Sequence, residues 1–514
     1  MEGTIYSLIP AVLMLILVIA TRQVLLSLGL GILIGAFMLT GFDITGTLSL
    51  LWQEFSTIFY TEGALNIGNL YLLSFLLLLG VMTAFMTASG GSRAFGKWAI
   101  SRVKTKRSAS LVPAVLGIII FIDDYFNALA VGQVARPVTD RQKVSRAKLA
   151  YYIDSTSAPV TVISPISSWG AYIIGTIGTI LAANEITDIG AFEAFIQMIP
   201  YNFYVFAALL LVFLTIMLKL DLGSMKKHER RAEETGELTD PKHTDIPGDL
   251  NEEFYPHDNG HIRHLLVPIA VLVVMTVGLM IFTGVRASEG AADILSTFAN
   301  TNVNFSLFYG GLTAAVVAIL MYTGLPYGKS PLRKVLLEGI KAMLPAIYIL
   351  VLAWMIGSVI DQLSTGEYLA GLVQASNLNV AYLPLLIFFT AGFMALATGT
   401  SWGTFGIMLP IAGEIAAVTD PSFIVPALSA VLAGSVFGDH CSPISDTTIL
   451  SSTGAGSHHI DHVLTQLPYA IIAAVAASTG YFLFALLGSV WLPLLATLLV
   501  VVAAGFLFKP ETNS

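Results

Sequence analysis

The 514-residue chain is 55% hydrophobic and only 11% charged, with a mean hydropathy of +0.79 and a formal net charge of −8. A soluble domain carries roughly 25% charged residues, so this chain lacks the charge to cover a water-facing surface and reads as an all-α polytopic membrane protein. Its basic residues sit in a few loops rather than in a patch, which argues against nucleic acid, and its single cysteine, Cys441, excludes an internal disulfide framework.

The N-terminus, MEGTIYSLIPAVLMLILVIA, has an acidic residue and no basic n-region. It reads as a retained first span rather than a cleaved signal. Apolar stretches long enough to cross a bilayer, at roughly 20 residues each, fall at about 5–20, 24–41, 66–88, 199–220, 263–284, 302–323, 342–361, 464–487 and 489–508. Residues 221–262 are polar and nearly free of aliphatic clusters. They read as a solvated linker; a regulatory domain is the alternative, but the apolar residues for a core are missing.

Twenty-two of the 25 Lys and Arg fall in four segments, 93–107, 136–148, 219–263 and 329–341. The positive-inside rule makes these cytoplasmic, in a multi-pass protein of the plasma (inner) membrane. The N-terminus is then outside, and Arg22 lies in a short inner turn.

Segments 93–107 and 136–148 are both inside, yet the apolar stretch between them is too short to cross twice. The simplest resolution is a re-entrant hairpin over 109–135 that bends near Asp123-Asp124; one ordinary span with a misplaced basic loop is the alternative. Non-helical backbone at that depth needs cover from protein or a wet cavity. The second half repeats the arrangement with reversed sign. Residues 382–418 are apolar around Gly399-Thr400-Ser401-Trp402-Gly403, and both flanks lack Lys and Arg. That suits a hairpin entering from outside.

Each hairpin precedes an interrupted helix. The first, over 147–182, is expected to break around Asp154 to Pro165; the second, over 421–456, around Gly438 to Pro443. Asp154-Ser155-Thr156-Ser157-Ala158-Pro159 parallels Asp439-His440-Cys441-Ser442-Pro443, with one residue fewer. Pro159, Pro165, Pro410 and Pro443 account for the breaks, since proline removes a donor and clashes with the preceding turn. The expected architecture is two inverted-topology repeats, 1–220 and 263–487, joined by the 221–262 linker and followed by an extra span over 488–514, about 11 spans in all. Interrupted segments at corresponding positions of inverted halves point to a transporter's central site.

The stretches FIDDYFNALAVGQVARPVTD, GTSWGTFGIMLPIA and GDHCSPISDTTILSSTGA resemble the NhaC-type sodium/proton antiporter family of the wider ion-transporter superfamily. The likeness covers both membrane halves and omits the linker. It implies inverted repeats with two re-entrant hairpins, sodium and protons as cargo, and a homodimer. Relatives that exchange malate for lactate or carry amino acids keep an organic solute open as the alternative cargo. No cofactor is implied beyond the transported ions.

Sodium is a hard cation that takes oxygen ligands, and the interruptions bring suitable groups to one depth. The first half offers Asp123, Asp124, Asn127, Asp154, Ser155, Thr156 and Ser157; the second offers Thr398, Thr400, Ser401, Asp439, Ser442, Ser445, Asp446 and Thr447. Asp123 and Asp124 point about 100° apart on a helix, so both face one cavity only where the backbone turns. Two neighbouring carboxylates in a partly dry site can hold either a proton or a sodium ion. The bland readings are a hairpin cap or an ion pair with Arg136 for these two, and helix N-capping for Asp154 and Asp439.

His440 is a candidate proton-sensitive partner of Asp439, its imidazole titrating near pH 6.5 when unperturbed. Trp169 and Trp402 are candidates for lining an organic-solute pocket. His440, Cys441, His458, His459 and His462 suggest a metal, but their spacing is not compact, and the SHHIDH segment is expected in a cytoplasmic loop. No transition metal is expected. H-E-x-x-H and P-loop patterns are missing from the sequence, which argues against an enzyme or direct ATP use. A channel fits two paired hairpins less well than alternating access does.

Overall fold

The computed structural model describes residues 2–509 except 22, 62, 122, 166, 243–245, 247–256, 289–296, 298, 299, 327–329, 366, 369, 370 and 372–378. The expected inner turn at Arg22 and part of the 221–262 linker therefore lie outside the described residues. Among those described, the chain is helical apart from one two-stranded ribbon, Tyr60–Thr61 with Ala64–Leu65.

The first half runs α1 (Ile9–Thr21), α2 (Val24–Leu39), α3 (Ile44–Thr57), α4 (Ile67–Ala88), α5 (Gly91–Arg102), α6 (Lys106–Ile119), α7 (Asp124–Arg141), α8 (Arg146–Ile163), α9 (Ser168–Ala183), α10 (Ala191–Met198) and α11 (Phe203–Leu218). After α12 (Met225–Glu234) come α13 (Arg263–Ala287), α14 (Val303–Thr323), α15 (Leu332–Gln362), α16 (Leu383–Thr398), α17 (Ser401–Thr419), α18 (Ile424–Cys441), α19 (Asp446–Ala455), α20 (His459–Leu487) and α21 (Trp491–Leu507). Among the described residues, eight helices are long and apolar enough to span a bilayer, or up to 10 if each bent pair counts once. The chain is a multi-pass membrane protein, with fewer clear spans than the 11 expected. Short interrupted helices fall below the length that a straight crossing needs.

The basic segments meet at one end. Arg93 pairs with Asp258, Lys106 with Glu229 and Glu233, and Lys148 with Asp221 and Glu229. The ring contact of Phe85 with Tyr322 brings the start of α15 to that end too. Helices α6 and α7 leave it as a hairpin that turns between Ile119 and Asp124. Helices α16 and α17 form a hairpin from the opposite end, where Tyr382 meets Phe482 and Phe423 meets Phe484 late in α20. Its turn is made by Gly399, whose φ of +72° is the left-handed conformation that glycine adopts without strain.

The breaks fall later than the sequence pattern suggests. Helix α8 continues unbroken through Asp154 and Pro159 to Ile163, and α9 starts at Ser168 after a 77° bend. Pro159 costs α8 one hydrogen bond, to the Ser155 carbonyl. Packed membrane helices tolerate such a loss, and nearly every α8 residue is buried. Pro410 likewise lies inside α17. Pro165 and Pro443 do sit in breaks, the second at 442–445 between α18 and α19. Asp154 is therefore mid-helix and Asp439 closes the last turn of α18, so neither is an N-cap.

The linker is not merely solvated. Met225 and Ala232 of α12 are buried, and its Glu229 accepts from the Ser145 N–H (2.8 Å) while pairing with Lys106 (2.6 Å) and Lys148 (3.4 Å). Arg146 N–H donates to the Leu238 carbonyl, and Ser224 Oγ to that of Leu464. Two buried apolar residues are too few for a core of their own, but they suffice to dock one helix on a preformed surface. Burial acts to raise the Glu229 carboxyl, but the Lys148 and Lys106 ammoniums outweigh it and hold it below the ordinary glutamate value.

Candidate functional site

Helix α6 ends at Ile119, leaving its last carbonyls without intrahelical donors. Asn127 of α7 takes two of them, donating through Nδ2 to Gly117 and to Ile120, both at 2.6 Å. These two bonds fix which way the amide points, and its buried Oδ1 is left with no partner. One turn earlier, Asp124 is the first residue of α7, 2% exposed, and its Oδ2 also has no hydrogen-bond partner. Residues three apart on a helix share a face. Asp123 precedes it in extended backbone and caps α7, accepting from the Phe126 N–H and from Ser168 Oγ, both at 2.9 Å.

Both carboxylates line a cavity of about 650 Å³, with Tyr125, Ser168, Tyr172, Trp402 and the run Asn300–Asn304. The change from extended to helical backbone at Asp123–Asp124 is the turn that lets adjacent residues face one space. The cavity lies away from the basic end. The first turns of α7, α9, α14 and α17 contribute to it, and their N-termini add partial positive charge. Among the described lining residues there is no Lys or Arg. Arg136 lies twelve residues along α7, about 18 Å from Asp124 at 1.5 Å per residue. It packs with Arg146 under Gly456 at the C-terminus of α19, too far to pair with either acid.

A second group of carboxylates lies beyond the cavity. Tyr125 donates to Asp446 Oδ2 at the start of α19. Asp439 accepts from Ser445 Oγ (2.8 Å) on Oδ1 and from Thr447 Oγ1 on Oδ2. Thr448 Oγ1 lies between the Asp439 carbonyl (3.3 Å) and Asp154 Oδ2 (3.2 Å). Asp154 is wholly buried and accepts in addition from Ser451 Oγ (3.0 Å), His462 Nε2 (3.2 Å) and Gln466 Nε2 (2.5 Å). Helices α8, α19 and α20 thus meet on one carboxylate, and Thr448 and Gln466 tie it to the carbonyls of α18.

The other sequence candidates are mostly committed to backbone. Thr156 Oγ1 donates to the Tyr152 carbonyl, Ser157 to Asp154, Thr398 to Met394, Ser401 to Ser435 and Ser442 to Leu396; Thr400 caps α17. Ser155 is buried on α8. His440 bonds to Tyr204 OH through Nδ1 (2.9 Å) rather than to Asp439, and its Nε2 is unpartnered. Trp169 and Trp402 meet edge to face at 5.7 Å, with only Trp402 on the cavity.

Tyr125, Ser168, Thr448, Ser451 and Gln466 are not among the sequence candidates, and His462 is there only as a metal ligand. The SHHIDH segment is not a loop: His459 and His462 are buried in the first turn of α20. The signal available was the spacing His459, His462, Gln466, a polar stripe on one face of an apolar helix.

Residues 160–486 match the model of the Na+/H+ antiporter family. A Haemophilus influenzae protein described only as uncharacterized is 46% identical over 484 residues, covering 93% of this chain and 91% of that protein. Two shorter likenesses carry functional names. An uncharacterized Na(+)/H(+) antiporter of Haemophilus influenzae is 33% identical over 27% of this chain and 30% of its own. The malate-2H(+)/Na(+)-lactate antiporter of Bacillus subtilis is 30% identical over 31% of this chain and 34% of its own.

Proposed function

The chain belongs to the Na+/H+ antiporter family, and on that premise we propose that it exchanges sodium for protons across the plasma membrane by alternating access between inverted halves. Membership makes it a sodium-coupled transporter. The further step, sodium against proton, rests on one observation: Asp124 Oδ2 and Asn127 Oδ1 are buried acceptors without donors, one turn apart on α7, and Asp124 lines the cavity.

Burying an acceptor unpaired is costly. A hard cation, which takes oxygen ligands, relieves both orphans at once. A proton on Asp124 relieves one of them and removes the charge that attracts the cation, so the two cargoes exclude each other. Asp123, already holding two donors, keeps a second negative charge beside the site. The hairpins entering from opposite ends support two inverted halves, and the basic end is the cytoplasmic one by the positive-inside rule. The cavity then faces outward and the N-terminus is outside.

A second reading has its own support. A volume of about 650 Å³ falls in the range of small-molecule pockets, and Tyr172 and Trp402 give it an aromatic wall with ring centroids 5.1 Å apart. Two carboxylates and no lining Lys or Arg favour an amine-bearing solute over a dicarboxylate, unlike the malate in the name of the Bacillus subtilis relative.

The test is a proteoliposome with an internal pH dye. External sodium alone should alkalinise the interior, and Asp124→Asn should abolish the response. A dye signal that appears only when an amino acid or carboxylate is added would replace the first reading with the second.

A further inference from the structure

Pro443 has no N–H, so the helix through α18 cannot continue, and the carbonyls of its last turn lose their partners. Asp439 C=O recovers donors from Ser442 N–H and Thr448 Oγ1. The next carbonyls are served from a different helix. Gln466 Nε2 donates to His440 C=O (3.0 Å) and, with its other hydrogen, to Asp154 Oδ2 (2.5 Å). His459 Nε2 donates to Pro443 C=O (2.6 Å), leaving Nδ1 to face Ser452 Oγ (3.2 Å). His462 Nε2 donates to Asp154.

Spacings of three and four place His459, His462 and Gln466 on one face of α20. Each points at an oxygen that the break has freed or at the carboxylate beside it. That face does for the broken helix what its own backbone cannot.

The Gln466 amide nitrogen occupies a point where a carboxylate oxygen and a main-chain carbonyl converge, an arrangement that suits a cation equally well. We propose that Gln466, with His459 and His462, is a positioning and selectivity residue for the exchanged cation. It fixes the break from which α19 carries Asp446 onto Tyr125, beside Asp124, and it keeps the His440 carbonyl and Asp154 from competing for cargo. Its amide oxygen, buried and unpartnered, adds an acceptor to the same spot. The inference rests on the sodium-binding reading of Asp124.

The experiment measures half-saturating sodium and lithium concentrations and maximal rates of dye response for wild type, Gln466→Leu, Gln466→Glu and Gln466→His in proteoliposomes. Ser478→Ala, further along α20, serves as a control. Mutations behind a metal ligand typically cost 10–100-fold in affinity. The Leu and Glu variants should therefore raise half-saturating sodium by about tenfold or more and change the sodium-to-lithium ratio, beyond any fall in maximal rate. Gln466→His, which keeps an N–H donor, should restore the ratio in part.

A purely structural Gln466 would lower the folded yield and the maximal rate together and leave both half-saturations and their ratio at wild-type values; that result overturns the proposal. Should the Leu variant fail to fold, the near-isosteric Glu variant decides. A wild-type protein without any sodium response defeats instead the sodium reading on which the inference stands.

Discussion

Two groups of buried aspartates divide this protein. Around Asp154, four side-chain donors from α19 and α20 converge on one carboxylate, and Asp439 nearby takes two hydroxyls. Around Asp124, on the wall of a polar cavity, an acid oxygen and an amide oxygen have no donor at all. The acids of both groups are almost wholly buried, so burial alone does not separate them. Spare acceptor capacity does. A saturated carboxylate holds helices together, whereas an unsaturated one beside a cavity has something left to bind.

The comparison breaks most readily at Asp124. Asp124→Asn should lower sodium-driven exchange by roughly a hundredfold or more, in line with the 3–5 kcal/mol lost when one partner of a buried charge pair is removed, while thermal unfolding stays near wild type. An unfolded Asp124→Asn would place Asp124 in the saturated class instead. The converse holds for Asp154→Leu, which strands up to four donors at about 1–3 kcal/mol each. Loss of folded protein in detergent is the expected outcome, and normal yield with changed sodium affinity would merge the two classes.

A milder probe sharpens the same contrast. Ser451→Ala removes one of several donors to Asp154, so unfolding should shift by about 1 kcal/mol, with half-saturating sodium unchanged. Glu229 extends the logic to the basic end. Its carboxyl is held below the unfolded value of about 4.3, so the stability it supplies is present above that pH and is lost as pH falls through the lower folded value. The melting-temperature gap between wild type and Glu229→Gln should thus be full at pH 7 and shrink as pH falls below the ordinary glutamate value of about 4.3. The smallest effect belongs to Arg93–Asp258, whose side chains are 42% and 96% exposed. Asp258→Ala should cost less than about 1 kcal/mol in thermal unfolding.

Much of this was legible in the residues. Charge placement marked the basic end, because Lys and Arg must find water or, like the buried Lys148, a carboxylate. The turns at Asp123-Asp124 and Gly399-Thr400 were readable, being polar residues in apolar surroundings. The breaks were misplaced toward Asp154 because proline was read as a stop; Pro159 and Pro410 remain within helices that their neighbours support. The α12 clamp was hidden because two buried apolar residues and one buried glutamate leave no periodic signal. Gln466, and the pairing of His462 with Asp154, are not legible because Asp154 lies some three hundred residues earlier. No local pattern carries a contact of that kind.

The most direct measurement is equilibrium binding of radioactive sodium to purified wild type, Asp124→Asn and Ser451→Ala. The account predicts saturable binding that Asp124→Asn abolishes and Ser451→Ala leaves intact. Sodium binding that survives Asp124→Asn but fails in a folded Ser451→Ala would put the cation at Asp154 and contradict it.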